Sequence, residues 1–335
     1  MASKKNAPLP DGLRIGGYRI VKKISSGGFS IVYLADDPSG TRYAIKEFLP
    51  STLVTREPGQ LVPTIATENM VVYRHGLKCF FEEGRALARI MHPNIVRVVN
   101  FFRANETVYM VMAYEEGRSL QEAIVQSREP ADGVVIAEHH LRRLFDKVMN
   151  GLREVHANRL LHLDLKPANV YLRADATPIL LDFGAARQTL TQDAPKLFPM
   201  YTPGFAAPEL YRKAQNLGPW TDIYGVGACM YACMKGASPQ QSDERPLEDK
   251  MVGNLIKLEQ HYSRHLVDIV AWCLRLNPME RPQSLFTLQR TLRAGNHLAA
   301  PPAEVKPGAA PRWFEGVAQR LGVRRRGDDF ANLKD

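Results

Sequence analysis

The chain has 335 residues, 45% of them hydrophobic, with 44 Lys and Arg against 35 Asp and Glu for a formal charge of +9. That length fits two domains or one large two-lobed unit, and that apolar content excludes wholesale disorder. The charge favours acidic or phosphorylated partners without pointing to nucleic acid, and no run approaches the ~20 apolar residues of a membrane span.

Residues 1–13 lack the apolar core of a signal peptide, and a cytoplasmic chain with no transmembrane segment is expected. Between 14 and 46, apolar and polar positions alternate among Gly and Asp-Pro-Ser-Gly turns, which predicts three short antiparallel strands. Residues 77–91 show helical spacing through Phe80, Gly84, Leu87 and Ile90, and His92-Pro93-Asn94 ends that helix. Strand-like runs follow at 96–102 and 108–114, and helical faces at 141–156, 221–234, 264–276 and 284–292. The expected fold is α+β and two-lobed: a small antiparallel sheet lobe with one main helix, then a larger, mostly helical lobe. From 295 the composition turns Pro-rich, and Trp313, Phe314, Val317 and Leu321 then share one helical face near Arg320 and Arg324–Arg326. Such a basic helix either docks, on a partner or a membrane surface, or packs back on its own domain. Cys79, Cys229, Cys233 and Cys273 form no metal-ligand or secreted-domain spacing and read as core thiols.

Three stretches carry chemistry. Ile24-Ser25-Ser26-Gly27-Gly28-Phe29-Ser30 is a hairpin whose backbone N–H groups can cover phosphates, and glycine there permits close approach. Lys46 ends the run Tyr43-Ala44-Ile45-Lys46 and is placed to meet phosphate oxygens, with Glu83 its expected anion; Glu82 falls nearer the polar face. His162-Leu163-Asp164-Leu165-Lys166-Pro167-Ala168-Asn169 is followed, 13 positions after Asn169, by Asp182-Phe183-Gly184. Two carboxylates and an amide on adjoining loops can hold Mg²⁺ against a nucleotide's phosphates while a further group orients a hydroxyl for attack.

In this ordered set the chain resembles the eukaryotic-type serine/threonine protein kinases in their bacterial version, over residues 14–294. Further matches are Met112-Ala113-Tyr114-Glu115, Ala207-Pro208-Glu209, Asp222 and Arg281. The resemblance implies a sheet lobe over 14–114, with an insertion at 47–79, and a helical lobe over 115–294; residues 1–13 and 295–335 are tails. It implies ATP as phosphoryl donor with Mg²⁺ or Mn²⁺, and transfer to Ser or Thr of protein substrates. Asp164 would orient the acceptor hydroxyl, Lys166 would neutralise the transferring group, and Asn169 and Asp182 would hold metal. Ile24, Gly27, Gly28, Val32, Ala44, Lys46, Glu83, Met112, Tyr114, Glu115 and Tyr171 would form the nucleotide site. Asp222 would brace the catalytic-loop backbone, Glu209 would pair with Arg281, and Thr202 would bridge Asp164 and Lys166. His162, Phe183, Leu87 and Val98 would stack into an apolar column. A regulatory protein or a cognate phosphatase is the partner implied beyond the substrate.

Four features depart from the family pattern. Ser25 and Ser30 replace glycines, and a serine forced to positive φ costs about 1 kcal/mol. Leu163 stands where an Arg would meet a phosphorylated activation segment, so activity independent of that contact is expected, in a non-RD chain. The 47–79 stretch either regulates the helix bearing Glu83 or embellishes the surface. Tyr171 replaces an aliphatic residue beneath the adenine. A weakly active pseudokinase acting as a signalling scaffold is the alternative, supported by the altered glycine hairpin alone.

Overall fold

The computed structural model describes residues 6–127, 135–182, 201–211 and 217–295. Phe183, Gly184, Thr189, Thr191 and the tail helix expected around Trp313 lie outside them. Strands β1 (Arg14–Ile15), β2 (Tyr18–Ser26), β3 (Ser30–Asp36) and β4 (Arg42–Phe48) form the meander that the alternation predicts, with the two-residue β1 added to the three strands expected. Next come the two-residue strands β5 (Val54–Thr55) and β6 (Thr64–Ile65), a 3₁₀ turn at Thr67–Asn69, and α1 (Met70–Leu87). Strands β7 (Val98–Ala104) and β8 (Thr107–Ala113) complete a six-stranded antiparallel sheet of order β1-β2-β3-β4-β8-β7.

Helix α1 starts seven residues before the expected 77 and stops at Leu87, ahead of the His92-Pro93 stop. Its buried stripe, Tyr73, Gly76, Phe80, Gly84 and Leu87, already begins in the first turn, and a run of 18 residues buries it against the sheet. Gly84 sets how close: a Cβ there would lie 2.0 Å from Phe101 Cε1 and 3.0 Å from Met110 Cε, so only glycine admits the approach.

The second lobe opens with β9 (Gly117–Ser119) and α2 (Leu120–Gln126), which is entered through a Ser119–Glu122 capping box. Then follow α3 (Glu138–Ala157), β10 (Val170–Arg173), β11 (Pro178–Leu180), the single turn α4 (Pro208–Tyr211), α5 (Pro219–Lys235), α6 (Met251–Leu258), α7 (Arg264–Cys273) and α8 (Leu285–Ala294). The four expected helical faces fall on α3, α5, α7 and α8, while α2 and α6 are too short for their periodicity to stand out. Helix α5 is buried nearly all round, including Cys229 and Cys233, with Cys273 of α7 also in the core; burial holds all three thiols in their protonated form. One apolar cluster runs through both lobes.

Candidate active site

The β10–β11 hairpin explains the 13-residue spacing between Asn169 and Asp182. Val170 pairs with Leu180 and Leu172 with Pro178, so the chain leaves Asn169, turns back through Ala176 (φ 62°) and returns beside its start. Leu181 N–H then donates to Asn169 C=O at 2.8 Å, which sets Asp182 next to the loop. Pro167 at the first position of a 3₁₀ turn closes the loop, where its missing N–H is no loss.

Within that loop Asp164, Lys166 and Thr202 form a triangle. Lys166 Nζ donates to Asp164 Oδ2 and to Thr202 Oγ1, both at 2.7 Å, and Thr202 Oγ1 donates to Asp164 Oδ1 at 2.9 Å. Asn169 Nδ2 donates to the Asp164 carbonyl at 2.8 Å and to Asp164 Oδ2 at 3.2 Å, leaving the amide oxygen as the free acceptor. With the Asp182 carboxylate this makes a hard-oxygen pair of the kind Mg²⁺ takes alongside phosphate and water, so the donor set fits the metal.

The loop's backbone is held from below. Asp222, on the buried first turn of α5, accepts from His162 N–H (2.9 Å) and Leu163 N–H (2.8 Å), and its Oδ2 lies 2.8 Å from His156 Nε2. Burial alone would raise its pKa; the His156 and His162 contacts outweigh that and hold it below the usual aspartate value. Leu163 is buried at φ 62°, a conformation costing a β-carbon-bearing residue roughly 1 kcal/mol or more. Its apolar side chain offers nothing to a phosphate. Asp182 is similarly strained at φ 52°.

Lys46 pairs with Asp182, not with Glu83 as the sequence suggests. The Asp182 side chain is 44% exposed, whereas the Glu83 carboxyl is enclosed. Burial, partly offset by Lys46 and reinforced by Asp182, pushes Glu83 well above the carboxylate range, and its Oε1 has no hydrogen-bond partner among the described residues. For Lys46, burial would lower the value, but Asp182 and Glu83 together leave it raised and the ammonium charged. Glu82 is exposed, 3.9 Å from Lys78. An orphaned carboxyl beside a charged lysine is where Lys46 would turn if Asp182 engaged a cation, so the pair fits the nucleotide and metal as well.

Cross-strand register sets Val32 and Met110 either side of Lys46, and Leu34 and Met112 either side of Ala44; alternation puts all of them on one face of the sheet. Ile24 is 45% exposed and Gly27 and Gly28 form the hairpin tip, neither with positive φ. Ser25 and Ser30 lie in β2 and β3, also without positive φ, so the strain expected of them is absent: extended strand suits serine as well as glycine. Tyr171, on β10 opposite Ser119 and Ile179, has its hydroxyl pushed up to about 12 by burial and by Tyr114, Glu122, Glu116 and Glu115. The Glu115 side chain turns outward to a bidentate pair with Arg173 at 2.8 and 2.9 Å, so only its backbone can serve a nucleotide. Gly117 follows because a Cβ there would sit 2.0 Å from Leu172 C=O. Neither Arg173 nor His156 is singled out by sequence pattern.

One more expected contact is present: Glu209 meets Arg281 at 2.7 and 3.0 Å, and Arg281 also donates to the carbonyls of Arg275, Leu276 and Trp220. Leu87, Val98 and His162 are buried, Phe183 lying outside the described residues.

The protein kinase domain model matches residues 18–292, and the chain belongs to that family. Curated relatives include a probable serine/threonine-protein kinase KIN1 homolog of Enterocytozoon bieneusi (26% identical over 271 residues, 80% of this chain and 41% of the relative). Another is the serine/threonine-protein kinase Nek5 of Mus musculus (28% over 278 residues, 82% and 40%). The chain thus spans about two-fifths of the length of these relatives. Among solved structures, the apo form of PpkA-294 superposes with a TM-score of 0.73 at 32% identity, covering 85% of this chain and 99% of that one. A point-mutant form of the Mycobacterium tuberculosis PknI kinase domain shares the fold at TM-score 0.63 and 21% identity, covering 86% and 99%. No described helix is long and apolar enough to cross a membrane.

Proposed function

We propose that this chain transfers the γ-phosphoryl group of ATP to Ser or Thr hydroxyls of protein substrates, using Mg²⁺ or Mn²⁺. The observation that carries the reading is the Asp164–Lys166–Thr202 triangle, 2.7 to 2.9 Å on each side. It holds a carboxylate and an ammonium where an incoming hydroxyl could replace that of Thr202, accept a hydrogen bond from Lys166 and donate to Asp164. Asn169 and Asp182 hold the metal, which when bound neutralises phosphate charge. Lys46 grips phosphate oxygens once Glu83 takes it from Asp182. Val32, Ala44 and Met112 line the base pocket above Tyr171, with the backbone of 113–115 at its edge. The Glu209–Arg281 pair steadies the segment that grips a peptide rather than a small acceptor.

Because Leu163 is apolar and buried, its backbone fixed by Asp222, the catalytic loop is held without a phosphorylated residue beside it. The test is transfer of label from ATP to a generic basic protein. Asp164→Asn lowers turnover about 10²-fold or more with folding unchanged. An undiminished rate in that variant, or an inactive wild type that still binds nucleotide, sinks the assignment; the latter outcome favours the scaffold reading.

A further inference from the structure

Lys46 and Glu47 are neighbours on β4 and point to opposite faces of the sheet. Lys46 enters the cleft. Glu47, fully buried, lies on the other face and takes a fork from Arg56: Nη1 to Oε1 at 2.6 Å and Nη2 to Oε2 at 2.7 Å. Tyr33 and Tyr109, from β3 and β8, donate to the same carboxylate at 2.7 and 2.8 Å. Arg56 Nε donates to Ala7 C=O at 2.8 Å, and Arg56 N–H to Asn6 Oδ1 at 2.9 Å, so the N-terminal segment is drawn in as well. Arg56 belongs to the 49–69 segment between β4 and α1, and this network fastens that segment to the back of the sheet.

The same segment is hydrogen-bonded to the glycine hairpin at one end and leads directly into α1 at the other. At one end the β3–β4 ladder continues beyond the strands: Leu49 N–H donates to Phe29 C=O and Ser51 N–H to Gly28 C=O, each at 2.8 Å, and Ser51 Oγ reaches Gly28 C=O at 3.2 Å. The tip of the glycine hairpin is therefore tied down by residues that follow β4. At the other end Asn69 Nδ2, adjoining α1, donates to Leu53 C=O at 3.2 Å.

We propose that Arg56 is a positioning residue for phosphoryl transfer: by anchoring residues 49–69 on Glu47 it fixes the height of the glycine hairpin above the bound phosphates. The proposal rests on the phosphotransferase reading above. In place of glycines free to flex, this hairpin has a strap, and Ser25 and Ser30 become parts of strands, Ser25 paired with Val32 and Ser30 with Phe48.

The test replaces the buried pair without leaving a lone charge, as Glu47→Gln with Arg56→Met, so that the glutamine oxygen accepts from one tyrosine and its NH₂ donates to the hydroxyl of the other. Amide hydrogen exchange at Leu49 and Ser51 should accelerate while β8 stays protected, and KM for ATP should rise about tenfold with KM for the acceptor protein unchanged. A role confined to stability would lower the active fraction and Vmax and leave both KM values alone. Faster exchange at Leu49 and Ser51 with KM for ATP within about twofold of wild type overturns the proposal, as does unchanged exchange. Should the double variant fail to fold, Arg56→Lys keeps the charge and loses the fork, and must show the same KM shift in smaller degree. Should the wild type transfer no phosphate, the kinase reading fails separately. The strap is then read from the affinity for a fluorescent ADP analogue with Mg²⁺, expected to weaken about tenfold in the variant and, if unchanged, refuting it.

Discussion

Replacing Asp222 by Asn tests the support of the catalytic loop more directly than any change at its tip. The carboxylate accepts from two successive backbone amides at 2.9 and 2.8 Å and faces His156 at 2.8 Å. An asparagine has one oxygen for these donors and turns an NH₂ toward the rest. A hydrogen bond to a charged group contributes about 1.5–3 kcal/mol net, and a buried donor left unpaired costs about 1–3. The variant should lose about 3 kcal/mol, since one such bond goes and one donor faces the new NH₂. For a chain of this size that lowers the thermal midpoint by roughly 4–5 °C. Leu163 sits at φ 62° while those bonds hold it, so the loop should also relax toward negative φ and displace Asp164. A misplacement of about 1 Å is worth on the order of 10²-fold in rate. Differential scanning fluorimetry and steady-state kinetics read the two effects. Acidity adds a control: the folded value of Asp222 is lowered, so its contribution is complete above the ordinary aspartate range, about pH 4, and disappears as pH falls through the folded value. The gap between wild-type and variant midpoints should therefore be constant above about pH 5 and close in stronger acid. A midpoint within about 1 °C of wild type together with unchanged turnover refutes the bracing argument.

Glu209→Gln leaves the buried guanidinium of Arg281 uncompensated and should cost about 3–5 kcal/mol in urea unfolding; Glu209→Leu with Arg281→Met should recover most of it. Gly84→Ala forces α1 away from Phe101 and Met110 at about 1–3 kcal/mol of overpacking. The displaced helix carries Glu83 away from Lys46, so turnover should fall in rate assays by more than the loss of folded protein explains. Changing Thr189 and Thr191 to Ala and Tyr201 to Phe should leave activity intact in the labelled-ATP assay, because Leu163 has no cation for a phosphate; loss of activity contradicts that.

Legibility in the sequence followed the range of the interactions. The catalytic string from His162 to Asn169 is local, and its side chains meet through a loop and a hairpin a few residues long, so their convergence was readable. Strands β2 to β4 and helices α3, α5, α7 and α8 carry enough periods to declare themselves. The Lys46–Asp182 pairing was not readable, since two carboxylates compete for one ammonium and the choice depends on how deeply each is enclosed. The Glu47–Arg56 network was missed for a related reason: charged residues are ordinarily exposed, and nothing in a turn-rich stretch marks an arginine as 2% exposed. One signal was present. Consecutive charges at 46 and 47, in a strand flanked by Ile45 and Phe48, require a polar partner on each face once both faces are covered.

That strand has a consequence for how the sheet forms. Slipping β4 by a single residue against β3 and β8 would turn Glu47 into the cleft beside Asp182 and push Lys46 between Tyr33, Tyr109 and the guanidinium of Arg56. Both faces would then hold like charges side by side, with acid meeting acid in front and base meeting base behind. Adjacent residues of opposite sign thus work as a two-sided key, and the misaligned sheet is disfavoured by charge as well as by side-chain packing. Accuracy in laying down the cleft-facing lysine comes in part from a glutamate buried on the opposite face of the sheet.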